Sequence, residues 1–271
     1  MSELGAIWSG AGNMLLTIIE FFYSVTNSYG LAIVLLTILV RIALYPLNQK
    51  QLTSMQHMQK IQPRLKVIQE KYADDKEKMT EETMRLYREN KVNPAAGCLP
   101  LLVQLPILIL LFNVLRTYNF AADSTFLGVL LGGSTTAGLA QAVGVTATPN
   151  GTYSLLAVLM GVMKNPLGLV HISLYLPNLI LLVSISFLTW AQQKLSGGDN
   201  PQMATMNTIM PFFMGFICLS MPGGVMIYWG LSSLIGVIQQ YFVSSKTKKE
   251  LAVKPNLHKN KPATDDDEDE E

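Results

Sequence analysis

Residues 29–47 read Y-G-L-A-I-V-L-L-T-I-L-V-R-I-A-L-Y-P-L and set the architecture of everything around them. The run has roughly the 20 apolar residues that cross a hydrocarbon layer of ~30 Å at 1.5 Å per residue. It also holds one permanent cation, Arg41. A guanidinium keeps its proton, so inside a span it must reach the interface, meet a carboxylate or face a cavity that water enters. Roughly 9 Å of helix separates Arg41 from the polar run that opens at Asn48, so this stretch alone leaves open both inward snorkelling and a wet cavity.

The composition widens the reading to the whole chain. Of 271 residues, 49% are hydrophobic and only 14% charged, well under the ~25% charged share of soluble domains. The net charge of +1 conceals a segregation of charge into residues 50–91 and 246–271. Between these blocks the chain has the balance of a multi-span membrane protein. Residues 1–27 carry no Lys, Arg or Cys, so no cleavable or lipidated leader is expected there. Cys98 and Cys218 fall in different apolar runs assigned to opposite faces, which argues against a disulfide, a zinc site or a thiol nucleophile.

Taken in order, residues 1–27 form an external amphipathic segment in which Glu20 opposes Leu15, Ile18, Ile19 and Phe22, the pattern of a helix lying on the membrane surface. The first span covers 28–47. The basic residues of 48–93 place that block in the cytoplasm and the N-terminus outside. Met55, Met58, Ile61, Leu65, Ile68 and Tyr72 recur at helical steps, as do Met79, Thr83 and Leu86. Asp75 stands where it would cap the second run, so a helical hairpin with an apolar seam is expected, kinked at Pro63. Its charges read as a solvated surface, while its methionines suit either the seam or an adaptable binding face.

A second span, 97–118, contains prolines and Gln104, an amide at about the depth of Arg41 that serves either helix packing or a shared pocket. Residues 119–171 form an external segment with membrane-dipping portions. A third span covers 172–193, a cytoplasmic loop 194–204, and the fourth and fifth spans 205–221 and 223–243 make a hairpin turning outside. The fifth carries Tyr228, Trp229, Ser232, Ser233, Gln239 and Gln240, a polar set for lipid. A basic, then acidic, disordered tail at 244–271 returns the C-terminus to the cytoplasm. The expected fold is an all-α membrane protein with five transmembrane helices, a cytoplasmic helical hairpin and an N-terminal interfacial helix.

No Asp or Glu lies in the five spans, which leaves Arg41 without a carboxylate and removes the titratable relay of a proton-coupled transporter. No nucleotide-binding loop, zinc-protease motif or catalytic triad is present in the sequence, and His57, His171 and His258 read as separate surface residues. The protein is therefore not expected to be an enzyme or to need a metal or cofactor.

Several segments together resemble the YidC family of membrane protein insertases. They are Arg41 in the first span, M-Q-K-I-Q-P-R-L-K-V-I-Q-E-K-Y at 58–72, N-P-A-A-G-C-L-P-L-L-V-Q-L-P-I at 93–107, Q-Q-K-L from Gln192, N-P-Q-M-A-T-M from Asn200, and M-P-G-G-V-M-I-Y-W at 221–229. The resemblance implies a bacterial plasma-membrane insertase with a hydrophilic groove, closed outside, that takes the polar part of a nascent client. Its groove positions carry over to Arg41, Thr37, Gln104, Tyr228 and Trp229. It further implies contacts with lipid, with the ribosome through the hairpin and basic tail, and with the Sec translocon. No specific nucleic-acid sequence is recognised on this reading. The long external segment and acidic end depart from the family's pattern. A channel or transporter is the competing class.

Overall fold

The computed structural model describes residues 2–90, 92–93, 99–117, 124–148, 153–195 and 201–253. Cys98, residues 119–123 of the external segment, 196–200 of the predicted loop and 254–271 of the tail lie outside them. Ten helices, α1 Ser2–Thr26, α2 Tyr29–Ala43, α3 Tyr45–Lys71, α4 Lys76–Glu89, α5 Leu99–Thr117, α6 Thr135–Val143, α7 Leu155–Lys164, α8 Leu176–Leu195, α9 Pro201–Cys218 and α10 Gly223–Val253, account for most of the described chain. One short antiparallel hairpin, β1 Thr125–Phe126 with β2 Val129–Leu130, interrupts them.

The predicted first span is split. α2 ends at Ala43, and α3 leaves at 63° to it. Pro46 explains the break, because in a continuous helix its ring would collide with the carbonyl four residues earlier and it has no N–H to donate. In the first turn of a new helix that missing donor costs nothing. Among the described residues no single helix is long and apolar enough to cross a membrane alone; the bent α2–α3 pair meets that length and composition only when taken together.

α1 extends over nearly the whole of the 1–27 segment, well beyond the amphipathic stretch around Glu20. Asn27, at φ 50°, takes the left-handed conformation that Asn tolerates, and Ser28 caps α2 by accepting from the Leu31 N–H at 3.4 Å. α1 therefore folds back against α2 and also touches α5, with the Tyr23 and Tyr29 rings stacked at 3.9 Å. Ile19 is buried with Ile33, Leu36, Leu111 and Leu115, while Phe21 and Val25 stay exposed.

The predicted helical hairpin is present as α3 and α4. Asp75 accepts from the Lys78 N–H at 3.1 Å, and Ile61, Leu65, Leu86 and Val92 form a buried seam. Half-buried Tyr87 packs against it, and burial raises its phenol pKa above the usual value. α3 runs through Pro63, and Met55 lies away from the seam, on a wall of the cavity described below. Arg85 pairs with Glu82 and Glu89 on the exposed face, where ion pairs add little. The seam should carry the hairpin's stability: Leu65→Ala is expected to cost about 3 kcal/mol by transfer and cavity terms, read by denaturant unfolding and by faster proteolysis between α3 and α4. A loss below about 1 kcal/mol would contradict a packed seam.

The β-hairpin and the residues after it tie the helices together at one end. Leu127 and Gly128, at φ 52° and 80°, make the tight turn of the β-hairpin. Phe126 packs directly on Gly30 of α2. The Gly223 and Gly224 N–H groups, at the orphan-donor end of α10, bond the Gly133 and Leu131 carbonyls at 2.8 and 2.9 Å. Asn178 of α8, 3% exposed, accepts from the Leu130 N–H and donates to the Gly133 carbonyl. Thr136 holds the Leu219 carbonyl with both its N–H and its hydroxyl. Residues 125–136 thus clasp α2, α8 and the α9–α10 turn.

Candidate functional site: a polar cavity at Arg41

α2 and α10 run side by side in register. A Cβ on Gly224 would meet Ile33 Cδ1 at 3.1 Å. Eight residues on in both helices, from Ile33 to Arg41 and from Gly224 to Ser232, Arg41 Nε donates to Ser232 Oγ at 3.2 Å and its Nη2 donates to the Ser232 carbonyl. The planar fork of the guanidinium suits this two-point grip. Arg41 is half-buried and reaches across to α10. Gly236 leaves the room for it, since a Cβ there would lie 3.0 Å from Gln192 Nε2 and 3.5 Å from Arg41 Nη2.

Beyond Arg41 lies a cavity of about 260 Å³ between α2, α3, α5, α8, α9 and α10. Gln51, Gln104, Gln192, Gln193, Gln239 and Gln240 line it, together with the hydroxyls of Thr189, Tyr228, Ser232 and Ser233, and no carboxylate does. Gln104 Nε2 donates to the buried Tyr228 hydroxyl at 3.2 Å. Gln51 Nε2 and Gln193 Oε1 are buried without a hydrogen-bond partner in the protein. Gln51 and Gln193, each with one such atom, both line this cavity, and a polar space of this volume is large enough for several waters. On the other side of Arg41 a larger cleft, about 770 Å³, opens between α2, α3 and α10, with Arg41 and Gln239 shared by both walls. Gln239 donates to Gln49 Oε1 at 3.4 Å across that partition.

Of the residues predicted for the site, Arg41, Gln104, Tyr228 and Trp229 line the smaller cavity. Thr37 does not. It is fully buried one turn before Arg41, and its hydroxyl donates to the Ile33 carbonyl at 2.7 Å. The sequence reading of the site passed over Gln51, Gln192, Gln193 and Asn48. The tandem glutamines 192–193 and 239–240, each near the end of an apolar run, are the signal that could have marked two of the walls.

Helical fold and cavity together define an all-α membrane protein with a polar, arginine-bearing chamber between its helices. A family model described as 60Kd inner membrane protein matches residues 21–250. A protein of Fusobacterium nucleatum named membrane protein insertase YidC is 42% identical over 239 residues, 86% of this chain and 97% of the relative. The chain belongs to this family, the YidC membrane protein insertases, which are not enzymes. A YidC of Nitratidesulfovibrio vulgaris is 35% identical over 86% of this chain, but the match spans 38% of that longer relative. A crystal structure of an active YidC insertase matches with a TM-score of 0.61 at 28% identity, over 87% of this chain and 46% of the other.

Proposed function

We propose that this chain inserts client proteins into a bacterial membrane by receiving their polar segments in the cavity at Arg41. The observation that carries the reading is a chamber lined by a cation held by Ser232 and by six glutamines, with no carboxylate on its wall. Arg41, Gln104, Tyr228 and Trp229 are the contact residues, and Thr37 is a packing residue behind them. Moving an unpaired polar segment into hydrocarbon costs several kcal/mol. A hydrated chamber with a fixed cation shortens the dry path and lowers that barrier, after which the client's apolar stretch partitions into lipid. No bond is made or broken.

In this reading α2, α5, α8, α9 and α10 are the five crossings, with α1 at the outer face and the N-terminus outside. The α3–α4 hairpin and the C-terminal end of α10 lie in the cytoplasm, as the two basic blocks favour. Two contacts support one inner end: Gln59 Nε2 donates to the Leu195 carbonyl at the close of α8 at 3.0 Å, and α3 packs on α10. The clasp of residues 125–136 is the outer seal. The hairpin and the basic residues after Ser245 are the surfaces offered to a ribosome, and the Sec translocon is a further candidate partner.

The test is insertion of a single-span client into vesicles containing this protein alone. Insertion above that of empty vesicles is expected, and none would reject the reading. Access to the chamber is tested separately with Gln104→Cys in a protein whose Cys98 and Cys218 are replaced. A membrane-impermeant thiol reagent should label it from the cytoplasmic side and not from outside. Labelling only from outside would invert the topology.

A further inference from the structure

The cleft of about 770 Å³ behind Arg41 has chemically graded walls. One face of α3, at steps of four and three, brings Gln49, Thr53, Gln56 and Lys60 to it, with His57 alongside. α2 and α10 supply the opposite chemistry through Ile38, Ile42, Ile235, Ile238 and Phe242. Ile42, Ile238 and Phe242 are 67%, 47% and 61% exposed, so this apolar wall opens to the surroundings of the helices and not into the core. The 63° bend at Leu44 swings the polar face of α3 away from the span, which makes the cleft a wedge. Its charged lining is Arg41 and Lys60, with no Asp or Glu.

An apolar slot with a cationic, hydrogen-bonding rim and an open side matches an amphiphile with an acyl chain and an anionic head, and its size suits a small-molecule site. A polar polypeptide would leave the isoleucine wall without a partner. We propose that this cleft binds an anionic phospholipid, its phosphate at Lys60 and His57 and one acyl chain along Ile42, Ile238 and Phe242. Because Arg41 and Gln239 line both cavities, the bound lipid closes the wall behind the guanidinium. The proposal rests on the membrane reading above and adds a ligand and a site to it.

The full-length protein in detergent, incubated with phosphatidylglycerol or phosphatidylcholine of equal acyl composition, gives the test through lipid retained in native mass spectrometry. Phosphatidylglycerol should be preferred, and Lys60→Ala should reduce that preference about fivefold, with His57→Ala reducing it further. Arg85→Ala, on the exposed and ion-paired face of α4, should leave the preference unchanged. Ile238→Trp, which fills the slot, should lower retention of both lipids. Equal retention of the two lipids, or a preference that survives Lys60→Ala combined with His57→Ala, overturns the proposal. A photoreactive residue at Ile42 in phosphatidylglycerol vesicles should yield an adduct of lipid mass, and an adduct to client polypeptide alone would overturn it equally. Neither readout requires insertion, so a failed insertion assay and a failed lipid assay are separate results.

Discussion

Arg41→Ala should abolish insertion of clients with acidic external tails while leaving the protein folded. The guanidinium is the only charged group on the chamber wall among the described residues, so its loss leaves a client carboxylate with amides and hydroxyls alone. An acidic side chain at the centre of a span is unfavourable by about 2.5 to 3.5 kcal/mol. Losing most of that compensation corresponds to about a 100-fold slower insertion per acidic residue, at 1.36 kcal/mol per decade. Clients with neutral tails should slow far less, and that contrast separates an electrostatic role from collapse of the fold. Arg41→Lys keeps the charge but cannot reproduce the fork that holds Ser232 Oγ and its carbonyl together. It should therefore retain much of the activity, within about tenfold of the parent. Undiminished insertion by Arg41→Ala in reconstituted vesicles would refute the role assigned to this residue.

The second large effect is expected at the clasp formed by residues 125–136. A Cβ on Gly223 would lie 2.3 Å from the Leu130 carbonyl oxygen and 2.7 Å from Val129 Cγ1. Backbone cannot move aside as a flexible side chain can, so Gly223→Ala must displace the β-hairpin. That strains the bonds from the Gly223 and Gly224 N–H groups to Gly133 and Leu131. Overpacking with the loss of one or both bonds should cost about 3 kcal/mol, a fall of about 6 to 12 °C in Tm for a chain of this size. Gly10→Ala is the matched control, because its Cβ would meet nothing within 4 Å and the helix would gain slightly. If residues 125–136 are the outer seal, Gly223→Ala should also let an external thiol reagent reach Gln104→Cys. A Tm within about 2 °C of the parent would show that the clasp tolerates the intrusion.

Much of this protein was legible in its sequence because lipid solvation leaves a coarse mark. Apolar runs, the two charge blocks and helical periodicity located α2, α5, α8, α9 and α10 and the α3–α4 hairpin, most ends lying within a few residues of those expected, but α10 continues to Val253, so residues 244–253 are helical where a disordered tail was expected. Asp75 and the Ile61–Leu65–Leu86 seam were readable because capping and i, i+3, i+4 burial are local rules. The break at Leu44 carried a local signal in Pro46, but the span length concealed it. Thr37 lies off the chamber wall for a different reason. One helical turn from Arg41 is near in sequence, yet its hydroxyl bonds back to the Ile33 carbonyl inside the packed core.

By itself the sequence determined that the chain is a helical membrane protein and that its most apolar stretch, 29–47, holds an arginine and no Asp or Glu. Only the tertiary structure decided what that arginine does with its charge, because the answer depends on the register between α2 and α10, which sets Ser232 beside Arg41. It also decided that glutamines from α3, α5, α8 and α10 face one chamber, and that a second, apolar-walled cleft backs onto the same guanidinium. Periodicity gives each helix a polar stripe, but which stripes meet is fixed by close packing among helices distant in the chain.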